Sequence, residues 1–438
     1  MKSDDALLAA WEETLARKRD APAIFDTRGE VLRTFAEVES RARTLESKTS
    51  GPVFPIDIGN QPDWPSHLLA ALRGRVVALP LEGTITAQQR EAALRICEAA
   101  DWGETPPVLL KLTSGTTAAP RAIRFRSEQL LADCIQICET MGIGADDLNF
   151  GVIPLSHSYG FSNLVTPLLV RGVPMALSRD RMPRAVLDDL ARTGATVFPG
   201  MPVFYQAFCE MENAPALPKL RLCISAGAPL PLEVARKFRG KFQRSIHSFY
   251  GSSECGGICY DREARLEEPG FVGPPLDGVK VEMLETNAAA SRIRIQSAAA
   301  GDGYFPEPDP DKLGGGFFAP DDLLRPSRDG FRIVGRVSDV INVAGKKVNP
   351  AEVEAELLRF DGVRAAVVFG LESVLRNEEV AACVAANADI RENELLEFCR
   401  QRLSGWQVPK RIFFVEEIPV NERGKISRRE LAQRYGSR

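Results

Sequence analysis

The sequence contains no long apolar run and few residues that build metal clusters. It has three histidines and nine cysteines among 438 residues. A membrane helix needs about 18 uninterrupted apolar residues. The best candidate, residues 163–177, is shorter and is broken by Arg171. We therefore expect no membrane span.

The cysteines are scattered and odd in number, which favours reduced, mostly buried thiols in a cytoplasmic protein. The pairs Cys134/Cys138 and Cys255/Cys259 are more widely spaced than the CxxC pairs of zinc clusters, and no histidine completes a cluster. Core thiols are the favoured interpretation. The first residues also lack the apolar segment of a secretory signal, in agreement with the expected cytoplasmic location.

The charge balance excludes general nucleic-acid binding. The chain has 55 Lys and Arg residues against 59 Asp and Glu residues, a formal net charge of −4. Nucleic-acid binding by charge requires a basic field, which this composition does not supply. The length is consistent with about two or three domains. The sequence leaves the oligomeric state open.

Helix and strand patterns alternate to about residue 260, which favours a large layered α/β domain. Glycine, proline and short strands dominate residues 270–334, so we expect a β-rich subdomain there. A small α+β domain follows. We place the boundary between residues 1–335 and 336–438. We predict helices at residues 6–19, 35–47, 184–193, 202–212, 232–238, 350–359 and 392–403. We predict strands at residues 23–26, 31–34, 76–81, 148–154, 195–199, 220–225, 279–284, 292–296, 330–334, 365–369 and 380–386.

The segment from residue 110 to Arg121 carries the strongest local signal. An apolar run ends in the polar cluster Thr113-Ser-Gly-Thr-Thr117. Such a cluster offers hydroxyls and a glycine turn whose backbone N–H groups surround an anion, and Arg121 adds a permanent positive charge. The segment lacks the GKS/T ending of a Walker loop. A polar surface loop between two strands is the alternative.

Thr113-Ser-Gly-Thr-Thr117 resembles the phosphate loop of the adenylate-forming superfamily, which contains acyl-CoA synthetases, peptide-synthetase adenylation domains and luciferases. Further segments resemble the motifs of this family in the same order, and together they extend over nearly the whole chain. They are residues 154–160, 197–205, 225–230, 250–254, 321–323, 335–342, 345–354 and 421–428.

The resemblance implies a reaction in two halves. A carboxylate attacks the α-phosphate of ATP and releases pyrophosphate, and a thiol then displaces AMP to give a thioester. The implied cofactors are ATP, Mg2+ and coenzyme A, or the phosphopantetheine of a carrier protein in place of coenzyme A. The first half joins two anions, so positive charge and oriented donors must offset their repulsion.

The resemblance also implies the residues that bind ATP. Glu254 is implied as the Mg2+ ligand. The family register favours Asp322 over Asp321 for the ribose hydroxyls. The full predicted ATP-binding set is Thr113, Ser114, Gly115, Thr116, Thr117, Arg121, Gly227, Ala228, Tyr250, Ser253, Asp322 and Arg336.

Catalytic roles are implied for Lys425, His157 and Glu254. Lys425 would bridge the carboxylate oxygen and the α-phosphate, and a compact ammonium on a flexible stem suits that role. Members of the family rotate the small domain between the two half-reactions, so this domain is expected to be mobile.

The family register places the hinge at Ser338 and the thiol channel at Lys346 and Lys347. Their two charges would meet the phosphates of coenzyme A or of phosphopantetheine. A solvated turn after Gly345 is the alternative for the two lysines.

The expected substrate is a small carboxylic acid, aryl or aliphatic, because no acidic group for a substrate amine is evident. The small residues Gly256 and Gly257 would admit a long chain or a flat ring. The predicted acid pocket consists of His157, Phe161, Phe198, Met201, Gly251, Cys255, Gly256 and Gly257.

Three features depart from the family pattern. Two glycines and the lysine of the phosphate loop are replaced, because the loop continues as Ala118-Ala-Pro-Arg-Ala122. Ser338 lacks the charge that is usual at the hinge. Residues 81–101 are short where relatives carry an extra αβ unit, so we expect a contracted N-terminal region.

The leading hypothesis is therefore an AMP-forming acid–thiol ligase that makes acyl- or aryl-CoA. A ligase that loads an acyl carrier protein is the alternative within the enzymes. A non-catalytic nucleotide- or acyl-binding regulator is the alternative from another class, because the phosphate loop is altered.

Overall fold

The structure is a computed structural model that describes residues 4–98, 100, 102, 105–112, 121–265, 268–285, 290–373, 377–387, 390–419 and 427–436. The chain divides into two compact units, each built from several segments. The first unit consists of Met1–Glu282, Arg294–Pro320 and Pro326–Arg332. The second consists of Met283–Ile293, Asp321–Arg325 and Ile333–Arg438. The predicted functional domains, residues 1–335 and 336–438, remain a prediction.

Helices and strands alternate over the first 260 residues. They are α1 (Ala6–Lys18), β1 (Pro22–Phe25), β2 (Val31–Thr34), α2 (Phe35–Glu46), β3 (Val53–Ile56), α3 (Trp64–Arg73), β4 (Val77–Pro80), α4 (Ala87–Glu98), β5 (Leu109–Leu112), β6 (Ala122–Phe125), α5 (Ser127–Met141), β7 (Asn149–Gly151), α6 (Ser158–Gly160), a π-helix (Phe161–Val165), α7 (Thr166–Arg171), β8 (Met175–Leu177), α8 (Pro183–Thr193), β9 (Val197–Gly200), α9 (Pro202–Glu210), β10 (Leu222–Ser225), α10 (Leu232–Phe242), β11 (Ile246–Ser252) and β12 (Gly256–Tyr260).

Strands predominate in the next segment, and the C-terminal segment mixes both element types. The strands are β13 (Phe271–Gly273), β14 (Lys280–Met283), β15 (Ser291–Gln296), β16 (Gly303–Phe305), β17 (Leu313–Gly314), β18 (Phe317–Phe318), β19 (Asp322–Ser327) and β20 (Gly330–Arg336). The C-terminal elements are a 3-10 helix (Val337–Asp339), β21 (Ile341–Val343), β22 (Lys346–Val348), α11 (Pro350–Leu357), β23 (Val363–Ser373), β24 (Asn377–Ala386), α12 (Glu392–Arg400), β25 (Arg411–Val415) and α13 (Arg428–Gly436).

An eight-stranded sheet forms the centre of the first unit, in the order β12-β11-β10-β9-β7-β8-β1-β2. The strands from β11 to β1 are parallel to their neighbours, whereas β12 and β2 are antiparallel edge strands. Helices α8, α9 and α10 cover one face with a core rich in aromatic side chains. This burial is the main contribution to the stability of the layer.

A second sheet in the first unit has the order β16-β6-β5-β4-β3. Its core includes Leu79 and Leu110 from the strands and Ala93 and Cys97 from α4. In the second unit, β21 to β25 form one sheet. Helices α11 and α12 contribute buried residues to the core on this sheet, and α13 contributes Leu431 and Tyr435 to a smaller cluster.

The predicted fold class is confirmed: a layered α/β core, a β-rich segment and a smaller α+β domain are all present. Local chemistry accounts for several boundaries. Helix α2 begins with a reciprocal cap between Thr34 and Glu37.

The nine cysteines carry free thiols, and all except Cys209 are buried, as expected.

Helix α4 lies between β4 and the predicted phosphate loop, in the short segment for which we predicted no helix. Its start carries a recognisable signal, since Thr86 Oγ1 accepts from the Gln89 backbone N–H at 3.2 Å and Gln89 Oε1 accepts from the Thr86 N–H at 3.1 Å. This is the capping pattern of a helix N-terminus.

Among the described residues, no helix has the length and apolar character needed to cross a bilayer.

Candidate active site

Four predicted motifs of the first unit lie where parallel strands end. His157 follows β7, Met201 follows β9, Gly227 follows β10 and Ser253 follows β11. The register of these strands brings Ser225 beside Gly200. Because the carboxyl ends of parallel strands share one edge of a sheet, the fold collects these motifs along one crevice.

A hydrogen bond joins two of these motifs directly. Ser158 Oγ donates to Ser253 Oγ at 2.9 Å. His157 is exposed, and its Nδ1 accepts from the Tyr159 backbone N–H at 3.2 Å. The tautomer with the proton on Nε2 is therefore favoured, and that nitrogen is the donor of the ring.

Glu254 lies in the turn between β11 and β12, and its carboxylate is mostly buried. Tyr304 on β16 donates a hydrogen bond of 3.1 Å to Glu254 Oε1. Burial raises the pKa of Glu254, and the hydrogen bonds from its own backbone N–H and from Tyr304 oppose that shift, as does the positive charge of Lys312. A buried carboxylate with a raised pKa is short of positive charge, so a cation beside it would be stabilising.

Arg121 packs on the face of the Tyr304 ring. The centre of its guanidinium group lies 4.2 Å from the centroid of the Tyr304 ring. Its Nη2 donates to the backbone oxygen of Glu307 at 3.1 Å. The pairing of β6 with β16, which sets Ile123 opposite Tyr304, fixes this arrangement. The predicted loop residues Thr113, Ser114, Gly115, Thr116 and Thr117 lie outside the described residues.

The predicted adenine turn is open to solvent. Gly227 and Ala228 are exposed, and Gly227 has a φ of +84°, a conformation that favours glycine. Met201 lies beside the turn and is 38% exposed. Tyr250 is buried in β11 opposite Cys259.

Two predicted pocket residues contribute buried surface near this crevice. Phe161 begins the π-helix, and its ring centroid lies 6.1 Å from that of Trp64. Cys255 is fully buried, with its Sγ 3.4 Å from Ser252 Oγ, and burial raises the pKa of the thiol. Gly251, also predicted, is exposed.

Phe198 packs differently from the sequence expectation. Its side chain is completely buried in the aromatic core under the eight-stranded sheet, beside Phe150, Phe204 and Tyr205. Successive side chains of a strand point to opposite faces of the sheet. Phe198 points to the face that helices α8 to α10 cover.

Gly256 and Gly257 are small because protein atoms fill the adjacent space. A Cβ on Gly256 would lie 2.0 Å from Asp133 Oδ1, and one on Gly257 would lie 2.6 Å from Leu276 Cδ2. The role of the two glycines in admitting the substrate stays a prediction.

In the second unit, Arg336 Nε donates to Asp322 Oδ1 at 2.8 Å. Asp322 is buried, whereas Asp321 is exposed and its backbone oxygen accepts from the Val337 N–H at 2.8 Å. The two neighbouring acids, which the sequence alone could not separate by chemistry, therefore differ in environment.

Ser338 is exposed in the 3-10 helix that follows β20. Lys346 and Lys347 are exposed on the β21–β22 hairpin, and Lys346 Nζ lies 3.8 Å from the centroid of the Trp406 ring. The predicted catalytic Lys425 lies outside the described residues.

Three residues near the site, Tyr304, Lys111 and Asp133, were not predicted from the sequence. Tyr304 gave no signal because its contact with Glu254 spans fifty positions along the chain. Lys111 was visible as the one charge in the apolar segment 108–112, and a charged residue inside a buried strand merits attention. Asp133 is the one acidic residue between Glu128 and Glu139 on α5, and it is buried.

Comparison with known sequences identifies the family. The profile of AMP-binding enzymes matches residues 100–292, and that of the AMP-binding enzyme C-terminal domain matches residues 352–425. Together these matches span more than half of the chain. The chain therefore belongs to the AMP-binding enzymes of the adenylate-forming superfamily.

Individual relatives agree with this assignment. The chain is 29% identical over 344 residues to a feruloyl-CoA synthase of Amycolatopsis sp, covering 75% of this chain and 70% of the relative. It is 28% identical over 336 residues to a 3,4-dihydroxybenzoate–[aryl-carrier protein] ligase of Bacillus anthracis, covering 76% of each. The structure of ATP-bound MatB from Rhodopseudomonas palustris shares the fold, with a TM-score of 0.86 at 22% identity and 98% coverage of both chains.

Proposed function

We propose that this enzyme activates a small carboxylic acid with ATP, releases pyrophosphate, and transfers the acyl group from AMP to the thiol of coenzyme A. The observation that carries the proposal is Glu254, a mostly buried acid held by Tyr304 beside Arg121. Adenylation brings together a carboxylate and a polyphosphate, and that reaction needs a fixed arrangement of charges at one point.

The residues of the first unit provide donors for the phosphates. Arg121 supplies a permanent charge, and the Ser158–Ser253 pair supplies hydroxyls at the strand edge. Thr113 to Thr117 would wrap the β- and γ-phosphates, and His157 would hold the acid end. Lys425 would reduce the negative charge that develops at the α-phosphate. The open turn at Gly227 and Ala228 suits the flat face of adenine.

Mg2+ fits this donor set. Glu254 offers a carboxylate whose raised pKa reflects uncompensated burial. Among the described residues, no group of three or more His, Cys, Asp or Glu side chains is arranged to hold a metal. Glu254 would therefore hold Mg2+ together with phosphate oxygens, and Mg2+ typically binds in this way through few carboxylates. The ion supplies neutralisation of the phosphate charge.

Asp322 is proposed to accept from the ribose hydroxyls, with Arg336 holding its carboxylate in place. Ser338 is proposed as the hinge of a mobile C-terminal domain, and Lys346 and Lys347 as contacts for the thiol donor. We also propose a cytoplasmic location, which is consistent with nine free thiols.

A carrier protein is the second candidate for the thiol acceptor. The observation that favours it is the match over 76% of this chain to a ligase whose name specifies an aryl carrier protein. The two acceptors share phosphopantetheine chemistry, so the first half-reaction is the same for both.

The test is pyrophosphate release from Mg-ATP with a panel of aryl and aliphatic acids, with and without coenzyme A. We expect one acid of the panel to cause pyrophosphate release. When coenzyme A is present, the release should continue over many turnovers and give a thioester product. Release that turns over only with a phosphopantetheinylated carrier protein selects the second candidate. ATP binding without release for any acid would overturn the proposal and favour a non-catalytic binding protein.

Lys425→Ala tests the catalytic assignment within the same assay. We expect its pyrophosphate release to fall by at least about 100-fold with the melting temperature unchanged. Lys280→Ala is the matched control, because Lys280 is an exposed lysine on β14. An unchanged rate in Lys425→Ala would remove that residue from the mechanism.

A further inference from the structure

The side chain of Asn60 lies in the loop between β3 and α3 and contacts the chain just before His157. Its Nδ2 donates to the backbone oxygen of Ile153 at 3.1 Å, and its Oδ1 accepts from the backbone N–H of Leu155 at 3.0 Å. These partners are 93 and 95 positions away along the chain. A neutral amide offers a donor and an acceptor on one short stem, so Asn60 satisfies both backbone groups at once.

The segment that Asn60 contacts has no regular structure of its own. Strand β7 ends at Gly151 and α6 begins at Ser158, and Ile153 and Leu155 between them are buried. Buried backbone groups outside helices and strands need side chains or water as hydrogen-bond partners. Because a buried group without a partner costs free energy, the two bonds from Asn60 favour one conformation of this segment.

The segment continues into His157 through a tight turn. The His157 backbone N–H donates to the Pro154 oxygen at 3.1 Å, and the Phe161 N–H donates to the His157 oxygen at 2.8 Å. A Cβ on Gly160 would lie 2.1 Å from the Pro154 oxygen, so only glycine fits there. Because these contacts are close, a shift of residues 153–155 moves His157 with it.

The other side of the motif is attached to the eight-stranded sheet. Tyr159 Oη donates to the Gly200 backbone oxygen at 3.1 Å, and the Tyr159 backbone N–H donates to His157 Nδ1 at 3.2 Å. Asn60 supplies an attachment to the five-stranded sheet, because its loop follows β3 of that sheet. The segment that carries His157 is therefore held from both sheets.

We propose that Asn60 is a positioning residue for His157. It holds residues 153–155 so that the imidazole keeps its bond to the Tyr159 N–H and presents Nε2 as the donor. The inference rests on the proposed function, which gives His157 the task of holding the acid end. Asn60 acts through His157 and takes no part in bond making or breaking. Small displacements of an oriented group cost large factors in rate, which gives such a residue its importance.

The first experiment is a double-mutant cycle in the pyrophosphate-release assay with the best acid of the panel. Asn60→Ala should lower kcat/KM for that acid by about tenfold when His157 is present. In the His157→Ala background the same change should cost less than about twofold, because the residue through which Asn60 acts is absent. Equal losses in the two backgrounds would overturn the inference, since independent structural effects are additive.

Two further variants test how specific the effect is. Gln61→Ala is the matched control in the same loop, because Gln61 Oε1 accepts from Arg179 Nη2 at 2.7 Å. It should keep kcat/KM within about twofold of wild type, and a loss as large as that of Asn60→Ala would contradict the inference. Asn60→Gln keeps both amide groups at a longer reach and should recover part of the activity. It replaces Asn60→Ala in the cycle if that variant does not fold.

Nuclear magnetic resonance of the histidine rings separates this inference from the proposed reaction. The chain has three histidines, so His157→Ala assigns the signals of that ring. At about pH 8 the wild-type His157 ring should show the nitrogen shifts of the tautomer protonated on Nε2. In Asn60→Ala they should move toward the average of the two tautomers. His247, whose Nδ1 lies 2.8 Å from the Asp261 backbone oxygen, is the internal reference and should not change.

The two readouts give distinct outcomes. Unchanged His157 signals in Asn60→Ala would overturn the inference whatever the rates are. Changed signals in a protein that releases no pyrophosphate with any acid would support the positioning of the ring and contradict the proposed function. Pyrophosphate release that is equal in wild type and in Asn60→Ala would overturn the inference while the reaction stands.

Discussion

The phenol oxygen of Tyr304 lies 3.1 Å from Oε1 of Glu254, and this hydrogen bond connects the five-stranded sheet to the eight-stranded sheet. Tyr304 belongs to β16 of the five-stranded sheet, whereas Glu254 lies in the turn between β11 and β12 of the eight-stranded sheet. The position of the proposed metal ligand therefore depends on how two sheets pack, which no local sequence pattern encodes.

Glu254→Gln should reduce pyrophosphate release by about 100-fold, because a neutral amide holds Mg2+ much more weakly than a carboxylate does. Excess Mg2+ should restore part of the loss. Tyr304→Phe should cost less, about tenfold, since the carboxylate remains. Glu282→Gln is the control, as Glu282 is exposed. A rate within twofold of wild type for Glu254→Gln contradicts the assignment.

Asp322→Asn should raise the KM for ATP by about tenfold, because an amide accepts less strongly from two ribose hydroxyls. The decisive measurement is discrimination between ATP and 2′-deoxyATP, which should decrease in this variant. Asp321→Asn replaces an exposed neighbour and should retain wild-type discrimination. If Asp321→Asn has the larger effect, the roles of the two acids are exchanged.

Arg428 connects three elements of the second unit. Its Nη2 donates to Glu354 at 2.7 Å, its Nη1 to Asp339 at 2.9 Å and its Nε to the Val368 backbone oxygen at 2.9 Å. Burial raises the pKa of Glu354, and the Arg428 charge opposes that shift.

Arg428→Met should therefore destabilise the second unit by roughly 3 kcal/mol, because it leaves a buried carboxylate unpaired. Arg429→Met changes the exposed neighbour and should have little effect. Hydrogen exchange of α11 and β23 measures the difference. Equal protection in both variants would show that the network contributes nothing to stability.

Two glycine-to-alanine changes should act in opposite directions. Gly256 has a φ of +67° and faces Asp133, so Gly256→Ala should destabilise the protein by at least about 3 kcal/mol through backbone strain and displacement of a buried carboxylate. Gly240 lies within α10 with open space around it, so Gly240→Ala should stabilise by about 0.5–1 kcal/mol. Denaturant unfolding of the two variants checks both signs.

Asp261 predicts a pH dependence of stability. Burial raises the pKa of this carboxyl to about 6, while backbone hydrogen bonds oppose the shift. The folded protein then binds the proton more tightly than the unfolded chain, so this contribution to stability is complete below about pH 4 and is lost as the pH rises through about 6.

Asp261→Asn removes that loss. The variant should exceed the wild type by roughly 1–2 kcal/mol at pH 7.5, after allowance for solvent screening, and should match it near pH 4. Melting temperatures at both pH values test this. Asp20→Asn, at an exposed position, should show no such divergence. A constant difference across the pH range would exclude Asp261 as the source.

The sequence by itself determined the family and many of the longer elements. The helices predicted at residues 6–19 and 35–47 match α1 and α2 within one residue at each end, because apolar periodicity and caps act over a single turn. The motif that contains Glu254 could also be recognised from the sequence, because binding of ATP and Mg2+ needs particular residue types in a fixed local order.

Only the tertiary structure decided which side chains meet. It assigned Phe198 to the core, filled the space beside Gly256 with Asp133, and distinguished Asp322 from Asp321 by the contact with Arg336. These relationships join residues that are distant along the chain or turn toward opposite sides of it. Sheet order and helix packing determine them, whereas local periodicity specifies only which face of its own element a residue occupies.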